Sequence, residues 1–167
     1  LHGWGSTKEV MRPLAQQLSA IRDCYVLDLP GFGNSSVPNR PWNIDDYADL
    51  VQQFITDQNL GTVDLLVHSF GGRITLKLCA RKEATEFVDK VLITGGAGMK
   101  PKRSFNYYLK KYTAKLLKAP FAILPKMLRE KALSKLRETS IWKTLGSSDY
   151  SKLSGVMRET FVKTVTE

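Results

Sequence analysis

A chain of 167 residues with 43% hydrophobic, 10% aromatic and 25% charged residues has room for one sizeable core, and its composition excludes disordered, collagen-like and fibrous classes. Its net charge of +9 is uneven: residues 1–100 hold 10 Lys/Arg against 11 Asp/Glu, and residues 101–167 hold 15 against 5. A nucleic-acid-binding protein with a uniformly basic surface would not divide this way, and no apolar run is long enough to span a membrane. Cys24 and Cys79 both fall inside apolar patterns and are expected to be buried free thiols. The chain opens on Leu1 with no Met and stops at Glu167 inside a helical pattern, so both ends are expected to be cut. A cytoplasmic location is the expectation for a chain of this kind.

Taken in order, the first hundred residues alternate helix and strand. Met11–Ala20 carries Leu14 and Leu18, with Ile21 just beyond, and Pro13 is tolerable there only near the helix start. Cys24–Leu29 is an apolar run closed by Pro30-Gly31, which predicts a buried strand and a turn. Ile44, Tyr47, Ala48, Val51, Phe54 and Ile55 share one helical face, with Asn43 as its cap and Asp45 and Asp46 in its first turn. Val63–Val67 predicts a second strand, Ile74, Leu78 and Cys79 a helix after Gly71-Gly72, and Val88–Thr94 a third strand ending in Gly95-Gly96. This alternation predicts an α/β fold with a parallel sheet covered on both faces.

Beyond Lys100 the strand signal ends. Phe105, Tyr108, Leu109, Tyr112 and Leu116 make one helical stripe, and Leu124, Leu128, Ala132 and Leu136 a second. Leu153, Val156, Met157, Phe161 and Thr164 make a third, with Ser148-Asp149 as cap candidates. Residues 1–100 are therefore expected to form the α/β core and 101–167 a basic, all-helical cap. Lys111, Lys115 and Lys118 share a face, as do Lys131 and Lys135. Such faces are solvated, or they attract an anionic substrate or an anionic membrane surface.

The chemistry is expected at Val67-His68-Ser69-Phe70-Gly71-Gly72, between a strand and a helix. A Ser on so tight a turn is pushed outward, next to backbone N–H groups able to stabilise an oxyanion. The competing role for Ser69 is capping the following helix. Two further segments agree with the catalytic role: His2-Gly3-Trp4-Gly5, whose glycines let the backbone swing an N–H toward the site, and Asp28-Leu29-Pro30-Gly31-Phe32-Gly33-Asn34-Ser35-Ser36. With the order and spacing of all three, residues 1–100 resemble the α/β-hydrolase superfamily, in its cap-bearing branch of small serine hydrolases.

That resemblance implies a partial α/β-hydrolase sheet followed by the family's variable cap. It implies Ser69 as the nucleophile, and the backbone N–H groups of Trp4 and Phe70 as the oxyanion hole. His2, Gly3, His68 and Gly71 take supporting roles. One departure stands out: Val67 occupies the position of the first elbow Gly, where a branched side chain would crowd the strand–helix approach. The family's acid and His follow the nucleophile, but the chain's two histidines, His2 and His68, precede Ser69, so both partners are expected beyond Glu167.

Tyr107 and Tyr108 are candidates to line a substrate pocket. The expected reaction is cleavage of a small carboxylic ester or related acyl substrate, with no cofactor, metal or nucleic acid. A carbon–carbon bond hydrolase on the same scaffold and a non-catalytic binding protein are the alternatives. Asp28-Leu29-Pro30-Gly31 also matches the D-x-x-G of GTPases, but the phosphate loop that should accompany it is absent. Gly95-Gly96-Ala97-Gly98 does not complete a dinucleotide fingerprint, and no Cys/His cluster has metal-ligand spacing.

Overall fold

The computed structural model describes residues 1–96, 105–139 and 153–166. Its elements are α1 (Lys8–Leu18), α2 (Ile44–Asp57), β1 (Val63–His68), α3 (Phe70–Cys79), β2 (Val88–Thr94), α4 (Phe105–Lys118), α5 (Lys126–Glu138) and α6 (Gly155–Thr166). Short 3₁₀ turns cover Lys82–Glu86 and Ala119–Ile123. The chain divides into two compact units, Leu1–Met99 with Ser154–Glu167, and Lys100–Leu153. Ser148 and Asp149 lie outside the described residues.

In the first unit, β1 and β2 pair in parallel from Val63–Val88 to His68–Thr94, with one irregularity between Val63 and Leu65. The connection between them runs through α3, as a parallel pair requires. Leu1 lies along the other edge of β1. Its nitrogen donates to Leu66 O (2.6 Å) and its carbonyl accepts from His68 N–H (2.9 Å), the alternation of a parallel ladder.

The core gathers Leu29, Tyr47, Ala48, Val51, Val67, Ile74 and Leu78, all nearly inaccessible to water. Each large apolar side chain among them contributes roughly 1.5–3 kcal/mol of burial. Helix α2 begins in a reciprocal capping box: Asp46 N–H donates to Asn43 Oδ1 (2.9 Å), and Asn43 N–H donates to Asp46 Oδ2 (2.8 Å). Its buried residues are Ile44, Tyr47, Ala48, Val51 and Ile55, five of the six its periodicity predicts, while Phe54 is half-buried.

Several expectations are corrected. Cys24–Leu29 is not a strand. The segment has no ladder partner among the described residues, and Leu29 N–H goes to a histidine ring instead. Helix α1 starts three residues earlier than its apolar pattern suggests, which places Pro13 in its interior. Met11 is its buried residue, whereas Leu14 and Ile21 are exposed. Strand β2 was expected to be covered, but Val91, Leu92 and Ile93 are all exposed. Both cysteines are exposed. Ile74 and Leu78 occupy the inner face of α3, and Cys79 falls one step round from it.

Helix α6, assigned above to the cap segment, packs in the first unit. Thr160 Oγ1 accepts Trp42 N–H (3.1 Å), and Met157, Thr160 and Thr164 are buried. The second unit holds α4 and α5, joined by the Ala119–Ile123 turn that contains Pro120.

Candidate active site

Ser69 joins β1 directly to α3. Its backbone adopts φ 47° and ψ −104°, a left-handed conformation that an L residue with a side chain rarely takes. The turn is bonded on both sides: Ser69 N–H donates to Thr94 O (3.1 Å), and Ser69 O accepts from Gly72 N–H (2.9 Å). Ser69 occupies the N-cap position of α3, yet its side chain makes no capping bond. The hydroxyl is not used by the helix, which argues against the capping role.

The loop after Leu1 passes against this turn. A methyl group on Gly3 would lie 3.4 Å from Ser69 Cβ and 3.2 Å from His68 Cδ2, so the backbone approaches the turn closely there. Gly71 N–H donates to His2 O (3.1 Å), tying the first turn of α3 to the same loop. A methyl group on Gly71 would stand 2.7 Å from Leu1 O, so only glycine lets the helix and this segment meet. Val67 is fully buried, and the pairing of β1 with β2 runs past it to His68–Thr94, so its branched side chain is accommodated in the core.

Hydrogen-bond chemistry sets both imidazoles. His2 is fully buried; its Nε2 lies 3.0 Å from Leu29 N–H and its Nδ1 2.8 Å from Gly3 O. An amide can only donate to Nε2, so Nδ1 carries the proton and donates to Gly3 O. Burial holds this imidazole below its ordinary pKa, which favours the neutral ring. Both of its nitrogens are committed to backbone.

His68 Nδ1 lies 3.2 Å from Thr94 Oγ1, whose own hydroxyl donates to Val67 O (3.1 Å). The single hydroxyl proton is thereby used, so His68 Nδ1–H donates to Thr94. The ring sits between Gly3 and Gly95, and a methyl group on Gly95 would lie 2.7 Å from His68 Cε1.

Trp4 is half-buried, with its ring set edge-to-face against Phe32 (4.9 Å between centroids), Phe70 (5.0 Å) and Phe161 of α6 (5.1 Å). Among the described residues, the hydrogen bonds around the turn leave the backbone N–H groups of Trp4 and Phe70 without an acceptor.

Other contributors carried only weak sequence signals. Asp28 accepts Lys8 N–H (2.7 Å) and Asn34 N–H (3.0 Å), while its backbone carbonyl accepts the Ser35 hydroxyl (2.6 Å). The Asn34 and Lys8 amides, in that order, hold its carboxyl below the usual range. This carboxylate serves α1, where Thr7 occupies the N-cap without a side-chain bond. Its signal was the Asp28–Ser35 segment; Thr94 and Phe161 carried none beyond a strand end and a helical stripe. Tyr108 is an exposed residue of α4, and the side chain of Tyr107 lies outside the described residues.

The family profile of the alpha/beta hydrolase fold matches residues 1–159. A pimeloyl-[acyl-carrier protein] methyl ester esterase of Pseudoalteromonas atlantica is 31% identical over 94 residues, covering 56% of this chain and 34% of that protein. An (E)-2-((N-methylformamido)methylene)succinate hydrolase of Acinetobacter baylyi is 33% identical over 75 residues, covering 45% of this chain and 28% of that protein. Among solved structures, the 2-hydroxy-6-oxo-6-phenylhexa-2,4-dienoate hydrolase of Rhodococcus superposes with a TM-score of 0.58 at 22% identity, covering 96% of this chain and 62% of that one. The match therefore spans about a third of the length of these curated relatives. With the strand–Ser69–helix turn and a family match over nearly its whole length, this chain belongs to the alpha/beta hydrolase fold family.

Proposed function

We propose that the chain carries the nucleophile of a serine hydrolase acting on a small carboxylic ester or related acyl compound. The observation behind this reading is the backbone of Ser69, held at positive φ between β1 and α3 with no capping bond to use its hydroxyl. Strain of this kind persists where function needs a side chain presented at a sharp turn. The relatives named as methyl ester esterases support an ester substrate, and the aromatic rings of Trp4, Phe32 and Phe70 beside the turn suit an apolar acyl group.

In this scheme Ser69 Oγ attacks the acyl carbonyl as a base removes its proton. The N–H groups of Phe70 and Trp4 receive the developing oxyanion. The alkoxy group departs with a proton from the protonated base, and water then hydrolyses the acyl-serine. His2 is unsuited as the base because both its ring nitrogens bond to backbone, and the side chain of His68 diverges from that of its chain neighbour Ser69 on so sharp a turn, its Nδ1 meeting Thr94. We assign the base and its carboxylate to residues outside 1–167. The basic excess of residues 101–167 belongs to the same reading, as a surface for an anionic partner.

The test is Ser69→Ala in the protein expressed from its full reading frame. Turnover of a short-chain nitrophenyl ester should fall by about 10⁶-fold. A fluorophosphonate probe should label Ser69 in the unaltered protein alone. Undiminished turnover in the variant, or a label mapped to another serine, rejects the assignment.

A further inference from the structure

The segment Phe105–Thr139 contains nine Lys/Arg against two Asp/Glu, and it also exposes several large apolar side chains. On α4, Phe105, Tyr108, Leu109, Tyr112 and Leu116 recur at helical spacing and form one exposed stripe, Phe105 at 79% and Leu116 at 74%. Ile123, after the 3₁₀ turn, and Met127, at the start of α5, are 89% and 81% exposed. Lys115 and Lys118 are exposed on α4, and Lys131 and Lys135 lie on the same exposed face of α5 as Met127 and Leu128.

A helix of a globular protein turns its apolar stripe inward and its charges outward; α4 and α5 expose both. An acidic protein or a small anion would use the lysines and leave Phe105, Ile123 and Met127 in water. A neutral apolar partner would cover those side chains and desolvate the lysines. A surface with phosphate at its rim and hydrocarbon just behind it satisfies both sets together. Among the described residues no helix is long and apolar enough to cross a membrane, so such contact is confined to the interface.

We propose that the α4–α5 segment is a docking surface for an anionic phospholipid bilayer. Phe105, Leu116, Ile123 and Met127 enter the headgroup–acyl boundary, and Lys115, Lys118, Lys131 and Lys135 lie on the phosphates.

The experiment is co-sedimentation of the whole chain with vesicles of phosphatidylcholine alone, or with about 30% phosphatidylserine, near 0.1 M salt. Binding to the anionic vesicles should be at least about tenfold tighter and should weaken as salt screens the lysines. Replacing the four lysines by Gln should weaken it by about 10²-fold or more, on the usual contribution of a basic residue near an anionic surface. The triple variant Phe105→Ser, Ile123→Ser, Met127→Ser should lose about tenfold or more. These side chains are exposed, so circular dichroism should show an unchanged fold.

Three results overturn the proposal: no binding to anionic vesicles, equal binding to both compositions, or an apolar triple variant that binds like the parent. The last would reduce the surface to a basic patch open to any acidic partner.

Discussion

Replacing Ser69 by Gly should make the protein more stable while removing the proposed nucleophile. A non-glycine residue held in a sparsely populated backbone region stores of order 1–3 kcal/mol, and Ser69 at φ 47° and ψ −104° occupies such a region. Taking about 2 kcal/mol for relief of that strain, and subtracting about 0.7 kcal/mol for the extra freedom glycine gives the unfolded chain, leaves about 1.3 kcal/mol. No compensating loss of a helix cap enters, because the Ser69 side chain makes no capping bond. Ser69→Ala is the control. Alanine retains a Cβ and hence the strain, so it should stay within about 0.5 kcal/mol of the parent. Thermal denaturation of both variants should then place Ser69→Gly about 3–5 °C above Ser69→Ala. If the two melt together, the turn stores no strain, and the argument from backbone to nucleophile fails.

Three further outcomes follow from the hydrogen bonds and the sheet. Unfolded His2 takes a proton near its ordinary pKa of 6.5, whereas the buried ring takes one only at lower pH; its stabilising contribution is thus complete above about 6.5 and lost as pH falls below it. His2→Gln, which can accept from Leu29 N–H and donate to Gly3 O without titrating, should flatten the melting temperature between pH 6.5 and 5; an unchanged slope refutes this. Asp28→Asn replaces one of two accepting oxygens with a donor and should cost about 1–3 kcal/mol in urea unfolding. Because the folded carboxyl titrates below its usual range, that stability is present above about pH 4 and is lost as pH falls through the folded value, a dependence the Asn variant should lack. Finally, β2 has one paired edge among the described residues, and Leu92 beside it is 58% exposed. Leu92→Lys should reduce self-association of the 167-residue chain in light scattering, and unaltered scattering would show that this edge is not the sticky one.

Local chemistry was legible in the sequence, and pairing over distance was not. The Asn43 cap and the face of α2 follow from residues three or four apart, so periodicity and cap chemistry suffice, although the reciprocal bond from Asn43 N–H to Asp46 was not foreseen. The strand–Ser69–helix turn was legible for a similar reason: adjacent glycines mark where a strand and a helix meet closely, and Gly71 lies against Leu1. An apolar run such as Cys24–Leu29 announces extended backbone but not what bonds to it, and here Leu29 N–H meets a ring 27 residues away. Burial of β2 failed because an apolar strand is covered only by whatever packs on it, which its own residues do not specify. Helix α6 was assigned with the basic segment on proximity in sequence, whereas its buried face carries Thr160 and Thr164, polar residues that a search for apolar stripes undervalues. Thr94 escaped notice because a threonine ending a strand is ordinary until its hydroxyl is seen between Val67 O and the His68 ring.

The strain at Ser69 and the pairing of the amides around it have a common origin. Two segments fasten the turn through three hydrogen bonds: the Leu1–His2 backbone accepts His68 N–H and Gly71 N–H, and Thr94 O accepts Ser69 N–H. A conformation that would relax in isolation is over-determined when its neighbours are fixed on both sides, which is the condition for strain to persist. The same fastening settles which amides have partners. With residues 68, 69 and 71 donating to those carbonyls and Gly72 donating back to Ser69 O, Phe70 N–H is left out at the helix start. Trp4 N–H likewise has no acceptor among the described residues, in a loop braced by the His2 ring between Gly3 O and Leu29 N–H. Among the described residues, the strained backbone of Ser69 and the unpaired amide that follows it are thus consequences of how this backbone closes. Any substitution that loosens the closure, at Gly71 above all, should disturb the hydroxyl and both amides together.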